Sequence, residues 1–141
     1  MADDVLLNKV ASIERCVARA REEYAADPSS FATNFTRQDA AILNIQRACE
    51  AALDMGQHII RRESLGLPQS ARDVFTLLAQ AGWIGEALAE SMKRMVGFRN
   101  VAVHEYQALQ LPITLNIITN HLDEFADFSR SMLMKDTSTG F

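Results

Sequence analysis

LLNKVASIERCVARAREEY, residues 6–24, decides the class of fold. Leu6, Val10, Ile13, Val17, Ala20 and Tyr24 step by four, three, four, three and four, which is the apolar stripe of an amphipathic helix. The same period recurs along the chain. After the interruption at Asp27-Pro28-Ser29-Ser30, a second helix is expected from near Thr36, whose hydroxyl caps it while Asp39 reaches back. Its stripe runs Ile42, Ile45, Cys49, Leu53, Gly56, Ile60. A turn at Leu65-Gly66-Leu67-Pro68 precedes Ser70, the cap of a short third helix with Asp73 in its first turn, Phe75, Leu78 and Ala79 inward, and Gly82 as its stop. A fourth helix is expected from about Ile84 to Tyr106. A fifth should run from about Pro112 to Met134, with Leu115, Ile118, Leu122, Phe125 and Phe128 on its core face. The expectation is an all-α, antiparallel bundle of four main helices plus the short additional one, in a single domain over residues 1–141 whose tail frays from about Asp136.

Composition agrees. In 141 residues, 48% hydrophobic and 23% charged side chains suit one compact core and argue against disorder. Only 3 Pro and 6 Gly interrupt the chain, and no short alternating runs of β-branched or aromatic residues occur, which excludes an all-β fold. A net charge of −4 gives no global attraction to polyanions, so contact with nucleic acid needs a local patch. The segment from Arg61 to His104 supplies an imbalance, with six basic residues against four acidic ones. The start, MADDVLLNKV, has acids where a secretory signal needs positive charge, and no run approaches the ~18 apolar residues of a membrane span. A cytoplasmic protein without membrane contact is expected. Cys16 and Cys49 fall on apolar stripes and are too few for a structural zinc site, which reads as two reduced core thiols.

One segment carries chemistry. At about 100° per residue, Leu88, Met92, Met95, Val96, Ala102, Val103 and Tyr106 fall within roughly 60° of Arg99, which puts a guanidinium in the middle of an apolar stripe. It cannot shed its charge and an unpaired buried charge is costly, so Arg99 demands a partner, structural or an anionic substrate. His104 follows roughly 140° around and does not stack on Arg99, whereas Asn100 lies one turn before His104 and can fix its imidazole tautomer. On residues alone, Arg99 is as well explained by a structural ion pair, His104 by a surface position and Tyr106 by ring packing. A metal site from His58, His104 and His121 is disfavoured, because the three fall on separate helices without paired ligand spacing.

RMVGFRNVAVHEY, residues 94–106, resembles the signature of the HEPN superfamily, and specifically of the HepT toxins: Arg, four residues, His, one residue, Tyr. Arg99, His104 and Tyr106 match it, with Asn100 at the family's polar position. DAAILNIQRACEAAL at 39–53, LGLPQSARDVFTLLAQAGWI and HLDEFADF are similar to the family as well, so the likeness runs from about Thr36 to Phe128. The resemblance implies an endoribonuclease that uses no metal or other cofactor, the toxin of a type VII toxin–antitoxin pair. It further implies catalysis by Arg99 and His104 supported by Asn100, a homodimer, RNA as substrate, and an MntA-like nucleotidyltransferase antitoxin that AMPylates Tyr106. The chemistry is compatible: metal-free RNA cleavage needs a proton acceptor, a proton donor and a cation at the phosphorane, and one chain offers a single His, so two motifs meeting in a dimer would complete the set. The alternative is a non-catalytic helical subunit that binds a nucleotide or partner within a nucleotidyltransferase complex.

Overall fold

A computed structural model describes residues 3–139, and among these no strand occurs. Helix α1 spans Asp4–Ala25, α2 Phe35–Arg62, α3 Ala71–Gln80, α4 Glu86–His104, α5 Leu111–Asn120 and α6 Asp123–Thr139, with 3-10 turns at Pro28–Thr33 and Tyr106–Ala108. Ion pairs fix the directions. Lys9 meets Asp54 at 3.1 Å and Glu23 meets Arg37 at 3.3 Å, so α1 and α2 are antiparallel. Arg21 reaches Asp123 at 2.5 Å, while Arg62 bridges Asp3 and Asp136, each at 2.8 Å, so α6 runs opposite to α1. Together α1, α2, α4 and α6 form the antiparallel bundle.

The stripes read from the sequence face the core: Leu6, Ile13, Val17 and Ala20 from α1 and Ile42, Ile45, Cys49, Leu53 and Ile60 from α2 are buried. Phe75 of α3 packs edge-on against Phe128 of α6, ring centroids 5.5 Å apart. Gly56 is required where α3 crosses α2, because a Cβ there would lie 2.6 Å from Cγ1 of Val74. Ser70 caps α3 through Asp73 N–H, and Gly82, at φ 80°, follows its end in a conformation that suits glycine. Both cysteines are free and buried.

Four boundaries differ from expectation. Asn34, not Thr36, caps α2, its side chain accepting from Arg37 N–H at 3.1 Å, which leaves Asp39 without a capping role. Helix α4 ends at His104, since no residue from Val103 to Ala108 is buried and the extension has no core to pack on. The expected fifth helix is broken at His121 and Leu122. His121 Nδ1 lies 2.8 Å from the Glu124 carboxylate, and Asp123 and Glu124 occupy the first turn of α6, where acids favour a fresh helix start. Where a frayed tail was expected from Asp136, α6 continues to Thr139, and Asp136 holds Arg62; Gly140 lies outside the described residues.

Candidate active site

One face of α2 is picked out by spacing: Asp39 and Glu50 are eleven residues apart, about three helical turns, and so share a face some 16 Å apart along the axis. Against that face lie the two ends of the Arg99–Tyr106 segment. Arg99 Nε sits 3.0 Å from Oε1 of Glu50, with the arginine side chain 17% and the glutamate 45% exposed. The N–H does not point along the contact, so Nε is buried with an ion-pair partner but no aligned hydrogen bond. The pair offsets the guanidinium charge without drawing an aligned hydrogen bond from Nε. Arg99 thus has the partner its apolar setting requires, and it retains the capacity to grip an anion.

Behind Arg99, burial pushes the Cys49 thiol up to about 12, a shift that the nearby guanidinium only partly opposes. The thiol is therefore protonated and no nucleophile. His104, the last residue of α4, is exposed, and its imidazole makes no hydrogen bond among the described residues. Asn100 is half-buried one turn earlier, and no hydrogen bond joins its side chain to the His104 imidazole. Val103 and Tyr106, expected on the apolar stripe with Arg99, are 46% and 43% exposed.

Tyr106 falls beyond α4, in the 3-10 turn, so its wheel position no longer applies. Its hydroxyl instead donates to Oδ1 of Asp39. Burial, then the Asp39 hydrogen bond and charge, push the phenol up to about 12. Tyr106 and Arg99 therefore do face one helix, but at anchors about 16 Å apart rather than on one stripe of α4. Asp39 and Glu50 were missed from the sequence; their eleven-residue spacing is the one signal that joins them.

The histidines do not converge: His58 Nε2 lies 2.7 Å from Asp3, and His121 pairs with Glu124. Among the described residues no group of three or more His, Cys, Asp or Glu is placed to hold a metal ion, and no helix is long and apolar enough to cross a membrane. Beside the motif, α4, α5 and their connection enclose a cleft of about 320 Å³, lined by Met95, Phe98, Val101, Leu109, Ile113 and Ile117 among others.

Residues 13–132 match the family model described as ribonuclease HepT-like. The chain is 48% identical over 126 residues to the mRNA nuclease HepT of Shewanella oneidensis, covering 89% of this chain and 94% of that protein. It is similar, at a TM-score of 0.88 and 46% identity, to a chain in a crystal structure of a toxin–antitoxin with AMP-PNP, over 92% of this chain and 98% of the other. A structure of the tri-AMPylated Shewanella oneidensis HEPN toxin in complex with MNT antitoxin matches at a TM-score of 0.89 and 46% identity, over 93% and 98%. By the extent of the family match and the identity to its relatives, the chain belongs to the ribonuclease HepT-like family.

Proposed function

We propose that this protein is the toxin of a toxin–antitoxin pair, a cytoplasmic endoribonuclease that cleaves RNA without a metal and is silenced when a partner nucleotidyltransferase AMPylates Tyr106. The relatives support it: one is named an mRNA nuclease, and a solved relative is an AMPylated toxin with its antitoxin. The observation that carries the reading in this chain is Arg99, a mostly buried guanidinium whose one carboxylate contact, Glu50, leaves its hydrogen-bonding capacity open.

The chemistry follows from what cleavage demands. The ribose 2′-oxygen attacks phosphorus, its proton must be taken up, negative charge grows on the phosphoryl oxygens, and the departing 5′-oxygen must gain a proton. The planar fork of Arg99 suits two phosphoryl oxygens. The exposed imidazole of His104 suits proton transfer as base or acid, and Asn100, one turn earlier, is the polar side chain placed to orient it when substrate is bound. One chain has one such histidine, so the complete set requires the motif of a second copy. In the proposed homodimer the α4 segments face each other, and the exposed Val103 and Ile113 with the apolar α4–α5 cleft supply surface to cover.

The test is an RNA cleavage assay with the purified protein in EDTA, alongside its mass by light scattering. Cleavage by a dimer is expected. A folded wild type that binds the nucleotidyltransferase but cuts no RNA would instead support the non-catalytic subunit, and activity lost with EDTA would restore a metal mechanism.

A further inference from the structure

Asp39 lies in the second turn of α2, where helix capping makes no use of it because Asn34 performs that task. No cation pairs with it among the described residues. Among the described residues its carboxylate accepts a side-chain hydrogen bond from the hydroxyl of Tyr106, sixty-seven residues away in sequence. An exposed tyrosine ordinarily leaves its hydroxyl to water. Here the ring is 43% exposed, yet the oxygen is fixed to a carboxylate. A partner can therefore approach the phenol while a proton acceptor already holds it.

Transfer of an adenylyl group makes that arrangement consequential. A neutral phenol is a weak nucleophile, and attack on phosphorus obliges it to lose its proton. With the phenol pushed up to about 12, the free phenolate is about one part in 10⁵ at pH 7, so the efficient route is attack with simultaneous proton transfer to a base already in contact.

We infer that Asp39 is a catalytic residue supplied by the modified protein itself, which orients the Tyr106 hydroxyl and takes its proton as the adenylyl group arrives. This rests on the reading of Tyr106 as the AMP acceptor. In the step, Oη of Tyr106 forms a bond to the α-phosphorus of ATP, and the bond from that phosphorus to the bridging oxygen breaks. Pyrophosphate leaves with the electron pair, and the phenolic proton passes to the Asp39 carboxylate, which later releases it to water. The product oxygen has no hydrogen to donate, so the tie between Tyr106 and α2 ends with modification. An ionised Asp39 beside the new phosphodiester then repels it, which favours departure of the modified residue from α2.

The experiment is single-turnover AMP transfer from ATP to the full chain, in complex with its nucleotidyltransferase, with the modified residue located by mass spectrometry. Asp39→Asn keeps a carbonyl oxygen able to accept the phenol's hydrogen bond but is no base, so it separates holding the phenol from taking its proton. Transfer to Tyr106 is expected to slow by about tenfold or more, with affinity for the nucleotidyltransferase within about twofold of wild type. A folded Asp39→Asn that accepts AMP less than about tenfold more slowly than wild type would overturn the inference. Should Asp39→Asn not fold, Asp39→Ser, which also lacks a base, carries the same readout and the same threshold. Adenylate absent from wild-type Tyr106 would overturn the acceptor reading as well, and so is told apart from failure of Asp39 alone.

Discussion

Two charged regions of this bundle differ in how completely their charges are used. At the end where α1 begins, Asp3 accepts from Val5 and Leu6 N–H and contacts both His58 and Arg62. Arg62 in turn meets Glu63 and Asp136 and lies 5.7 Å over the Trp83 ring. Along the face of α2 that meets α4, Arg99 has one skewed carboxylate contact, the Tyr106 hydroxyl has one acceptor and the His104 imidazole has none. Saturated charges tie elements together, whereas unsaturated ones leave capacity for a ligand. The first region should respond to mutation in stability and the second in activity.

The largest effect belongs to Arg99→Ala. Loss of the grip proposed for it on the phosphoryl oxygens should lower RNA cleavage by about 10²–10³-fold with helical content unchanged. A variant that unfolds instead would move Arg99 into the structural class with Arg62. Asp3→Ala should show the converse: about 2–3 kcal/mol of stability lost, read by urea melting, with cleavage kept once folded. Burial pushes the Asp3 carboxyl up, but hydrogen bonds from His58, Leu6 N–H and Arg62 outweigh it and hold it at about 2. Because the folded value is depressed, that contribution is present above about pH 4 and is lost as pH falls toward about 2. The stability of Asp3→Ala should therefore vary less than that of wild type across this acid window.

Tyr106→Phe probes the boundary between the regions. It removes one half-exposed hydrogen bond, at a cost below about 1 kcal/mol, and it removes the oxygen proposed to accept AMP. Cleavage should persist while modification by the nucleotidyltransferase, followed by mass spectrometry, disappears. Arg130→Ala is the smallest: its 3.0 Å pair with Asp127 joins two side chains each more than half exposed, and thermal melting should shift by less than about 0.5 kcal/mol equivalent.

How much of this was legible in the sequence depends on the range of the interaction. The stripes of α1 and α2 were readable because burial follows helical periodicity, and Ser70 and Gly82 because capping and positive φ are local. The end of α4 was not, since it depends on whether a core lies under residues 103–108, which no window of sequence records. Arg99 could be singled out as a charge in an apolar stripe, but its partner Glu50 is forty-nine residues away. Asp39 was given a local role at a helix start, and its tertiary partner Tyr106 overrode it. Local rules place side chains on faces; only packing says which faces meet.

The central claim is that the exposed imidazole at the end of α4 moves protons during RNA cleavage, and purified His104→Ala assayed on RNA in EDTA tests it most directly. Because the His104 imidazole makes no hydrogen bond among the described residues, the variant should melt and sediment like wild type. Its cleavage rate should fall by about 10²-fold or more. Cleavage within about tenfold of wild type from an intact dimer would contradict the account.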